Sequence, residues 1–444
     1  MVLQAGGGTL KQLVFAIVVA ALASARAATD PAAEQFWAQW RGPYATGTSR
    51  FANPPVEWSE TKNVRWKVEI PGRGSSSPVV WGDRLFLLTA IPAGVSGPGQ
   101  HAPRGSASPL DVHRFAVLAI DRRTGKVIWD RTAREERPHE ASHQDNGTWA
   151  SSSAITDGQR VYAWFESRGM FAYDMDGKLL WQKDLGDKQM RNQFGEGSTP
   201  VLHGNRIVIV WDHQGQSFIV ALDAATGSEL WRAAREEIDS WATPLVVEHA
   251  GRAQVVTNGM NRLRSYDLET GKVAWESPGT TMNAIPSPVA ADGMVFVTSG
   301  FRGNNLKAIR LADARGDISG SNAIAWSRDR DTPYVPSPLL YDGVLYLLKS
   351  NSGILSALDA KTGHPHYQLQ RLDGVAEVFS SPVGAGGRVY LTSREGTTLV
   401  IKHGPAFEVI AKNTLDDGFD ASPALVGGDI YLRGFKYLYN IGSN

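Results

Sequence analysis

The chain has 444 residues, with 45 lysines and arginines against 45 aspartates and glutamates, so its formal net charge is zero. Without a long-range positive field, the chain is a poor binder of nucleic acid or of an anionic membrane surface. The sequence contains no cysteine, which excludes disulfides, thiolate catalysis, cysteine-ligated zinc, iron–sulfur clusters and a lipid-modified cysteine.

The N-terminus has the pattern of a secretory signal peptide. Lys11 precedes an apolar run from Leu13 to Leu22, and Ala25-Arg26-Ala27 has the small-x-small pattern of a cleavage site. The run is about half of the ~20 residues that a spanning helix needs, although an uncleaved anchor stays open. We expect residues 1–27 to be removed, residues 28–59 to form an N-terminal extension, no integral membrane segment to remain, and the mature protein to be periplasmic or secreted.

One short pattern recurs along the rest of the chain. It is a Ser or Thr, usually followed by Pro and a short apolar strand, and it occurs at Ser77, Ser153, Thr199, Thr243, Ser287, Ser337, Ser381 and Ser422. The successive spacings are 76, 46, 44, 44, 50, 44 and 41 residues. A Gly/Asp/Asn turn and a second apolar strand follow each start. The one large spacing marks a long insertion in the first unit.

The third and fourth strands of the repeat are joined by a punctuated turn. An Asp-x-x-Thr-Gly stretch leads to a Trp eight residues after the Asp in the pairs Asp121 and Trp129, Asp223 and Trp231, and Asp267 and Trp275. Asp and Thr bond the turn backbone and Gly supplies a positive φ, so we expect a tight reversal. The Trp on the outer strand is then placed to fill the gap between neighbouring units.

Four strands in every 40 to 45 residues is the period of a β-propeller blade. The unit that starts at Ser422 ends after three strands, whereas a lone strand around Trp66 precedes the first unit. We therefore predict an all-β fold, an eight-bladed propeller of four-stranded antiparallel blades over residues 60–444. The strand around Trp66 closes the ring and leaves no free sheet edge. The fifth blade carries an expanded turn, Asp313 to Asn322.

The repeat Ala-x-Asp-x-x-Thr-Gly-x-x-x-Trp resembles the pyrroloquinoline quinone (PQQ) type of propeller repeat, which quinoprotein alcohol dehydrogenases and BamB-like assembly proteins share. The resemblance covers about residues 60 to 444. The opening Trp40-Arg41-Gly42-Pro43 and the stretch from Pro71 to Pro78 are similar to those of secreted bacterial proteins with PQQ-binding-like repeats. The likeness implies the propeller fold, and it leaves function open because the repeat builds blades.

Two functions follow from the resemblance. Quinoprotein dehydrogenases carry adjacent cysteines over the quinone and hold calcium with Glu, Asn and Asp; this chain has no cysteine, and those ligands cannot be matched position by position. We therefore favour an extracytoplasmic binding or scaffold protein without an assigned catalytic residue or metal site. The alternative is a PQQ- and calcium-dependent quinoprotein oxidoreductase acting on an alcohol or a sugar, which requires an axial pocket with a Trp floor, carboxylates, an amide and an Arg.

In a propeller, the loops from strand four to the next strand one and from strand two to strand three share one face, here called the upper face. We expect the site on this face, with a protein, a small molecule or a carbohydrate as ligand, because both long insertions, 91–112 and 132–148, lie there. The candidate ligand-binding residues are Trp149, Glu166, Glu196, Asp212, His213, Trp241, Asn283, Arg302, Lys349, Glu377, Arg394 and Asp420.

Each candidate also has a purely structural interpretation. Trp149 and Trp241 stack a planar or sugar ligand, or else pack against the next blade. Asp212 and His213 are adjacent on a strand end and so point apart. The spacing of His139 and His143 would suit metal ligands on a helix, but the preceding segment indicates a loop. The carboxylates of Glu196, Asp239, Glu377 and Asp420 converge on a hard cation, or else remain solvated.

Overall fold

The computed structural model describes residues 1–2, 33–93, 111–143 and 145–443. The predicted signal peptide and most of the 91–112 insertion lie outside the described residues. Among the residues that are described, no helix is both long and apolar enough to cross a membrane. The described chain forms eight sheets that each contain an antiparallel set of four strands, which confirms the predicted eight-bladed propeller.

The strands of the first four blades alternate apolar and polar residues or are fully apolar, as buried sheet strands require. Blade 1 has Val79–Trp81, Arg84–Pro92, His113–Asp121 and Val127–Glu136; blade 2 has Ile155–Thr156, Arg160–Trp164, Met170–Asp174 and Leu179–Lys183; blade 3 has Val201–His203, Arg206–Trp211, Phe218–Asp223 and Glu229–Ala234; blade 4 has Leu245–His249, Arg252–Thr257, Arg262–Asp267 and Val273–Pro278.

The second half of the ring repeats this order. Blade 5 has Val289–Ala291, Met294–Ser299, Asn305–Arg310 and Ile324–Arg328; blade 6 has Leu339–Tyr341, Val344–Leu348, Ile354–Asp359 and Pro365–Arg371; blade 7 has Val383–Ala385, Arg388–Thr392, Thr397–Lys402 and Val409–Thr414; blade 8 has Ala424–Val426, Asp429–Arg433 and Tyr437–Gly442, completed by Val64–Glu69. Three short 3-10 helices are also present: Ala33–Gln35, Glu166–Arg168 and Arg191–Gln193.

The eighth blade closes the ring with strands from both ends of the chain. Val64–Glu69 pairs antiparallel with Tyr437–Gly442, with Trp66 opposite Asn440 and Glu69 opposite Tyr437. The prediction that the strand around Trp66 completes the last blade is therefore confirmed. A closed ring of blades leaves only short outer edges for pairing with another chain.

The innermost strands are joined by a ring of hydrogen bonds around the propeller axis. The backbone N–H of each recurring Ser or Thr donates to the side-chain hydroxyl oxygen of its counterpart in the next blade, with donor–acceptor distances of 2.9 to 3.1 Å. The last bond, from Ser422 to Ser77, returns to the first blade. We call these eight residues the axial ring.

A repeat Trp joins five of the eight blades to the next blade. The indole Nε1–H of Trp231 in blade 3 donates to the carbonyl of Leu268 in blade 4 at 2.8 Å. The ring lies on Gly271, where an added Cβ would be 2.5 Å from the indole and φ is +69°. Glycine is required there on both grounds. Equivalent pairs are Trp66 with Gly125, Trp129 with Gly177, Trp181 with Gly227, and Trp326 with Gly363.

In the described chain, blades 4, 6 and 7 lack this Trp contact, and in blade 4 the expanded turn of blade 5 takes its place. Its residues Gly316–Asp317 pair in parallel with the outer strand of blade 4, extending that sheet to five strands. Trp275 is consequently fully buried, and its Nε1–H donates to Gln254 Oε1 within its own blade instead of to a neighbouring carbonyl.

We predict that the axial ring stabilises the fold measurably. Ser381→Ala removes the acceptor for the backbone N–H of Ser337, a buried donor, and an unsatisfied buried donor costs about 1–3 kcal/mol. The urea midpoint should fall accordingly. Ser228→Ala, at an exposed turn position, is the matched control and should change stability by less than about 0.5 kcal/mol. Equal midpoints for the two variants would contradict the role of the ring.

We also predict that the closing strand is energetically equivalent to an internal one. Trp66→Ala and Trp231→Ala each leave a cavity over a glycine of the next blade, and we expect each to lower the unfolding free energy by about 3 kcal/mol. Chemical denaturation of both variants measures this. A near-zero effect at Trp66 beside a large effect at Trp231 would show that the eighth blade is held together differently.

Candidate functional site

A pocket of about 490 Å³ opens on the upper face at the propeller axis. Its floor contains one residue from every blade, each two positions before an axial-ring residue: Ser75, Ser151, Gly197, Trp241, Ile285, Val335, Phe379 and Asp420. The axial ring therefore sets the depth of the pocket, because it holds the eight strand starts at one level.

The floor is asymmetric. Blades 1 to 3 contribute the small residues Ser75, Ser151 and Gly197, whereas blades 4 to 7 contribute large or branched apolar side chains. Blade 8 contributes the carboxylate of Asp420. A ligand resting on this floor meets an apolar surface on one side and an open, polar recess on the other.

Aromatic rings form much of the wall. Phe301 and Tyr334 stack with their centroids 4.7 Å apart and their planes at 24°. Trp241 is half-buried, and its Nε1–H donates to the carbonyl of Gly195 at 2.8 Å, which fixes the plane of the indole. Phe194 lies in the same wall. Rigid aromatic faces of this kind can receive a planar ligand or the apolar face of a sugar ring.

Arg394 is the polar centre of the opposite wall. Its guanidinium carbon lies 4.3 Å from the centroid of Phe379, and its Nε and Nη2 lie 3.0 and 3.1 Å from the Asp420 carboxylate oxygens. Its Nη1 donates to Glu377 Oε2 at 3.2 Å. Stacking and paired hydrogen bonds hold the guanidinium in one orientation, so the group presents a fixed polar surface.

The insertion at 132–148 reaches over the pocket from blade 1. Part of it extends the outer strand Val127–Glu136, and the rest is a loop. His143 N–H donates to the carbonyl of Phe194 at 3.2 Å, and the carbonyl of Asp145 accepts a 2.8 Å bond from Arg394 of blade 7. The loop therefore crosses the upper face and is tied to both sides of the pocket.

Seven of the twelve candidate residues lie in this pocket: Trp149, Glu196, Trp241, Asn283, Glu377, Arg394 and Asp420. Trp149 is only 8% exposed and packs on His113 with centroids 4.8 Å apart, so it contributes mainly to the packing of the wall. Trp241 offers more of its face to the pocket.

Two of the remaining candidates are buried in ion pairs that join the loop after the second strand of a blade to the connection that leaves the same blade. Asp212 is fully buried and accepts bonds from Arg235 Nε at 2.7 Å and Nη2 at 2.9 Å. Burial alone would lower the pKa of Arg235, and the neighbouring Asp212 raises it. Glu166 is paired in the same way with Lys188, and burial raises the pKa of Glu166. Neither carboxylate faces the pocket; both hold blade connections together.

The last three candidates also lie outside the pocket. His213 is mostly buried, its Nδ1 accepts a 3.1 Å bond from the Gln189 N–H, and burial lowers its pKa. Arg302 is exposed beside Phe301, and Lys349 is exposed with its Nζ 3.0 Å from Asp331. Arg302 and Lys349 therefore belong to the rim of the upper face.

The carboxylates weighed as cation ligands do not converge. Glu196 pairs with Arg168 at 2.9 Å, Asp239 pairs with Arg191 at 2.9 Å, and Glu377 and Asp420 share Arg394. Guanidinium groups thus occupy the oxygens that calcium would need. The described lining residues include one arginine and no lysine, so the pocket does not fit a calcium-bound, polycarboxylate quinone.

One cluster in the described residues is compact enough to hold a metal ion: the potential ligand atoms of His139, Glu140 and Glu196 lie within 4.8 Å of one another. Its groups already have partners. His139 Nε2 is 2.6 Å from the carbonyl of Lys188, and Nδ1 is 3.2 Å from Arg168 Nη2. With both imidazole nitrogens engaged, the cluster holds the loop in place.

Several lining residues were not among the candidates. Phe194, Phe301 and Tyr334 lie in loops, and no motif singles them out. The floor residues, by contrast, stand at a constant offset of two from the recurring Ser or Thr. That offset is a signal in the sequence from which the whole floor can be read once the ring position is known.

Comparisons with known proteins agree with the fold. The family model described as "Outer membrane protein assembly factor BamB" matches residues 53–219 and 215–436. A tetrathionate hydrolase of Acidithiobacillus ferrooxidans is 23% identical over 281 residues, covering 60% of this chain and 53% of that protein. A polyvinylalcohol dehydrogenase of a Pseudomonas species is 24% identical over 285 residues, covering 53% and 40%. The chain spans about half the length of the curated relatives it matches.

Solved structures show the same architecture. BamB from Moraxella catarrhalis superposes with a TM-score of 0.60 at 13% identity, covering 85% of this chain and 99% of that one. Quinohemoprotein alcohol dehydrogenase from Comamonas testosteroni superposes with a TM-score of 0.63 at 13% identity, covering 92% and 81%. At such identities, the likeness concerns the fold alone.

We predict that Asp212→Ala acts on stability. It leaves the Arg235 guanidinium buried without its carboxylate, and breaking a buried pair costs about 3–5 kcal/mol. Asp373→Ala breaks an exposed pair with Lys412 and is the matched control, with an expected loss below about 1 kcal/mol. Thermal unfolding compares them. A destabilisation by Asp212→Ala no larger than that of the control would contradict this assignment.

Proposed function

Because the chain belongs to the BamB-like family of PQQ-type β-propellers, we propose that it is an extracytoplasmic binding protein that holds its ligand in the axial pocket of the upper face. The observation that carries the proposal is the pocket itself. It combines an apolar half-floor and aromatic wall with a fixed guanidinium and carboxylates on the other side. The leader-like N-terminus supports a location outside the cytoplasm.

The chemistry of the walls favours an uncharged, polar ring as ligand, as in a carbohydrate. Trp241, Phe301 and Tyr334 offer flat apolar faces, onto which the C–H face of a sugar can stack. Hydroxyl groups can then bond to amides and carboxylates around the pocket, such as Asn283, whose buried Oδ1 has no hydrogen-bond partner within the described part of the chain. An anionic ligand would instead have to displace Asp420 or Glu377 from Arg394.

A quinoprotein oxidoreductase is the second candidate. An axial Trp, an Arg, carboxylates and amides are the residue types that such a site uses, and the fold is shared with a quinohemoprotein dehydrogenase. The ion pairs of Arg394 argue against it, because they occupy the carboxylate oxygens of Glu377 and Asp420 that calcium would need. A protein scaffold role, suggested by the assembly-factor family, would use the same face with a partner segment in the pocket.

We predict that titration of purified protein with a panel of mono- and oligosaccharides gives saturable quenching or shift of Trp fluorescence. Trp241→Leu should weaken binding about tenfold or more, because an aromatic contact at the centre of a site contributes over ~1.4 kcal/mol. Arg302→Ala, on the same face but outside the pocket, is the matched control and should bind normally.

The same experiment separates the candidates. Addition of PQQ with calcium that yields a stoichiometric bound chromophore would favour the oxidoreductase over the sugar-binding proposal. Saturable sugar binding that is insensitive to Trp241→Leu would place the ligand elsewhere on the molecule, against the axial pocket.

A further inference from the structure

The N-terminal extension lies against the inner strands of several blades. Its residues bridge the inner strands of several blades: Trp37 pairs with Val80 of blade 1, and Thr48 pairs with Gly384 of blade 7. Arg41 is placed at the axis by a turn in which the Gly47 N–H donates to the Arg41 carbonyl at 2.9 Å. A Cβ on Gly47 would lie 2.2 Å from the guanidinium, so the turn requires glycine.

Arg41 is buried without an acidic partner. It is 2% exposed and donates to the carbonyl oxygens of Pro338 at 2.7 Å, Pro382 at 2.8 Å and Thr46 at 3.2 Å. Its Nε–H is buried, and none of the described residues accepts a hydrogen bond from it. Across the described ranges, no carboxylate forms an ion pair with this guanidinium. Burial lowers the pKa of Arg41 to about 9, which reflects an environment that does not compensate the charge.

The axial ring supplies further donors at the same level. Each ring hydroxyl accepts one hydrogen bond from the neighbouring blade, and a hydroxyl also has one proton to donate. None of the eight hydroxyls donates to any residue in the part of the chain that the structure describes. The ring therefore retains a set of O–H donors.

A small cavity adjoins these donors. It has a volume of about 20 Å³ and lies between Arg41 with its neighbours Gln39 and Trp40 on one side and blades 3 to 5 on the other. The blades contribute the ring residues Thr199, Thr243 and Ser287, each followed by a proline, and no acidic side chain is among the described lining residues. The volume suffices for a water-sized species, which needs about 10–15 Å³.

We propose that this cavity binds a small monovalent anion, a halide such as chloride, through the Arg41 guanidinium and the hydroxyls of Thr199, Thr243 and Ser287. The anion compensates the charge of Arg41 and accepts hydrogen bonds that no protein group accepts. The site is separate from the axial pocket, because the two cavities share no lining residue.

Thermal unfolding at constant ionic strength tests the proposal, with sodium chloride or bromide replacing sodium gluconate, whose anion is too large for the cavity. Since the anion binds only the folded state, the Tm should rise by about 1–2 °C for each tenfold increase in halide above the dissociation constant. Arg41→Gln should abolish this dependence. Arg50→Gln, an exposed position on the same extension, is the matched control and should retain it.

Crystals of the unmodified protein grown with bromide provide a readout that does not depend on a variant. We expect an anomalous peak next to Arg41 Nε. A Tm independent of halide, a halide dependence that persists in Arg41→Gln, or bromide-grown crystals without a peak at Arg41 would each overturn the proposal, and the last would indicate that the cavity holds water only.

Discussion

The hydrogen-bond ring around the axis positions everything else in this molecule. Each bond runs from a backbone N–H to a hydroxyl one blade further on, so all eight inner strands start at one height, and the last bond returns to the first blade. Residues two positions before the ring must then face the axis from above, and the prolines after it must face the axis from below. The upper pocket and the lower channel are thus two consequences of one constraint, and the side chains at fixed offsets determine what each can bind.

The outer part of the ring obeys a second local rule. The Trp of one blade lies on the glycine of the next blade's turn and donates to a carbonyl in that turn. Both parts of this contact come from the same repeat unit, and five blades donate in this way to the next blade: those of Trp66, Trp129, Trp181, Trp231 and Trp326. Trp66 on Gly125 obeys the rule although its strand comes from the opposite end of the chain. The contact that closes the ring between blades 8 and 1 is therefore the same as the contact between internal blades.

Much of the fold and some of the site could be predicted from the sequence, for identifiable reasons. The blade count and the role of the strand around Trp66 followed from the period, because local turn chemistry repeats. The site residues were predicted from the loops that lie on the upper face. This prediction was correct for residues that face the propeller axis, such as Trp241 and Arg394. It did not separate them from Asp212 and Glu166, which share the face but are buried by partners such as Arg235 and Lys188 on other connections. Such partners depend on the path of long connections, which no repeat encodes.

An eight-bladed ring also has a cost at its centre, since the inner strands enclose a channel that their own side chains do not fill. Above the ring the space remains open as a pocket, lined by the small residues Ser75, Ser151 and Gly197 on one side. Below it, the N-terminal extension crosses the inner strands and places a guanidinium against the carbonyls of Pro338 and Pro382. An apolar side chain in place of Arg41 would give a more stable fold, because a buried charge without a counter-charge is destabilising. The position of Arg41 among carbonyls and unused hydroxyls is therefore best understood as half of a binding site, in which the missing charge comes from a mobile ion.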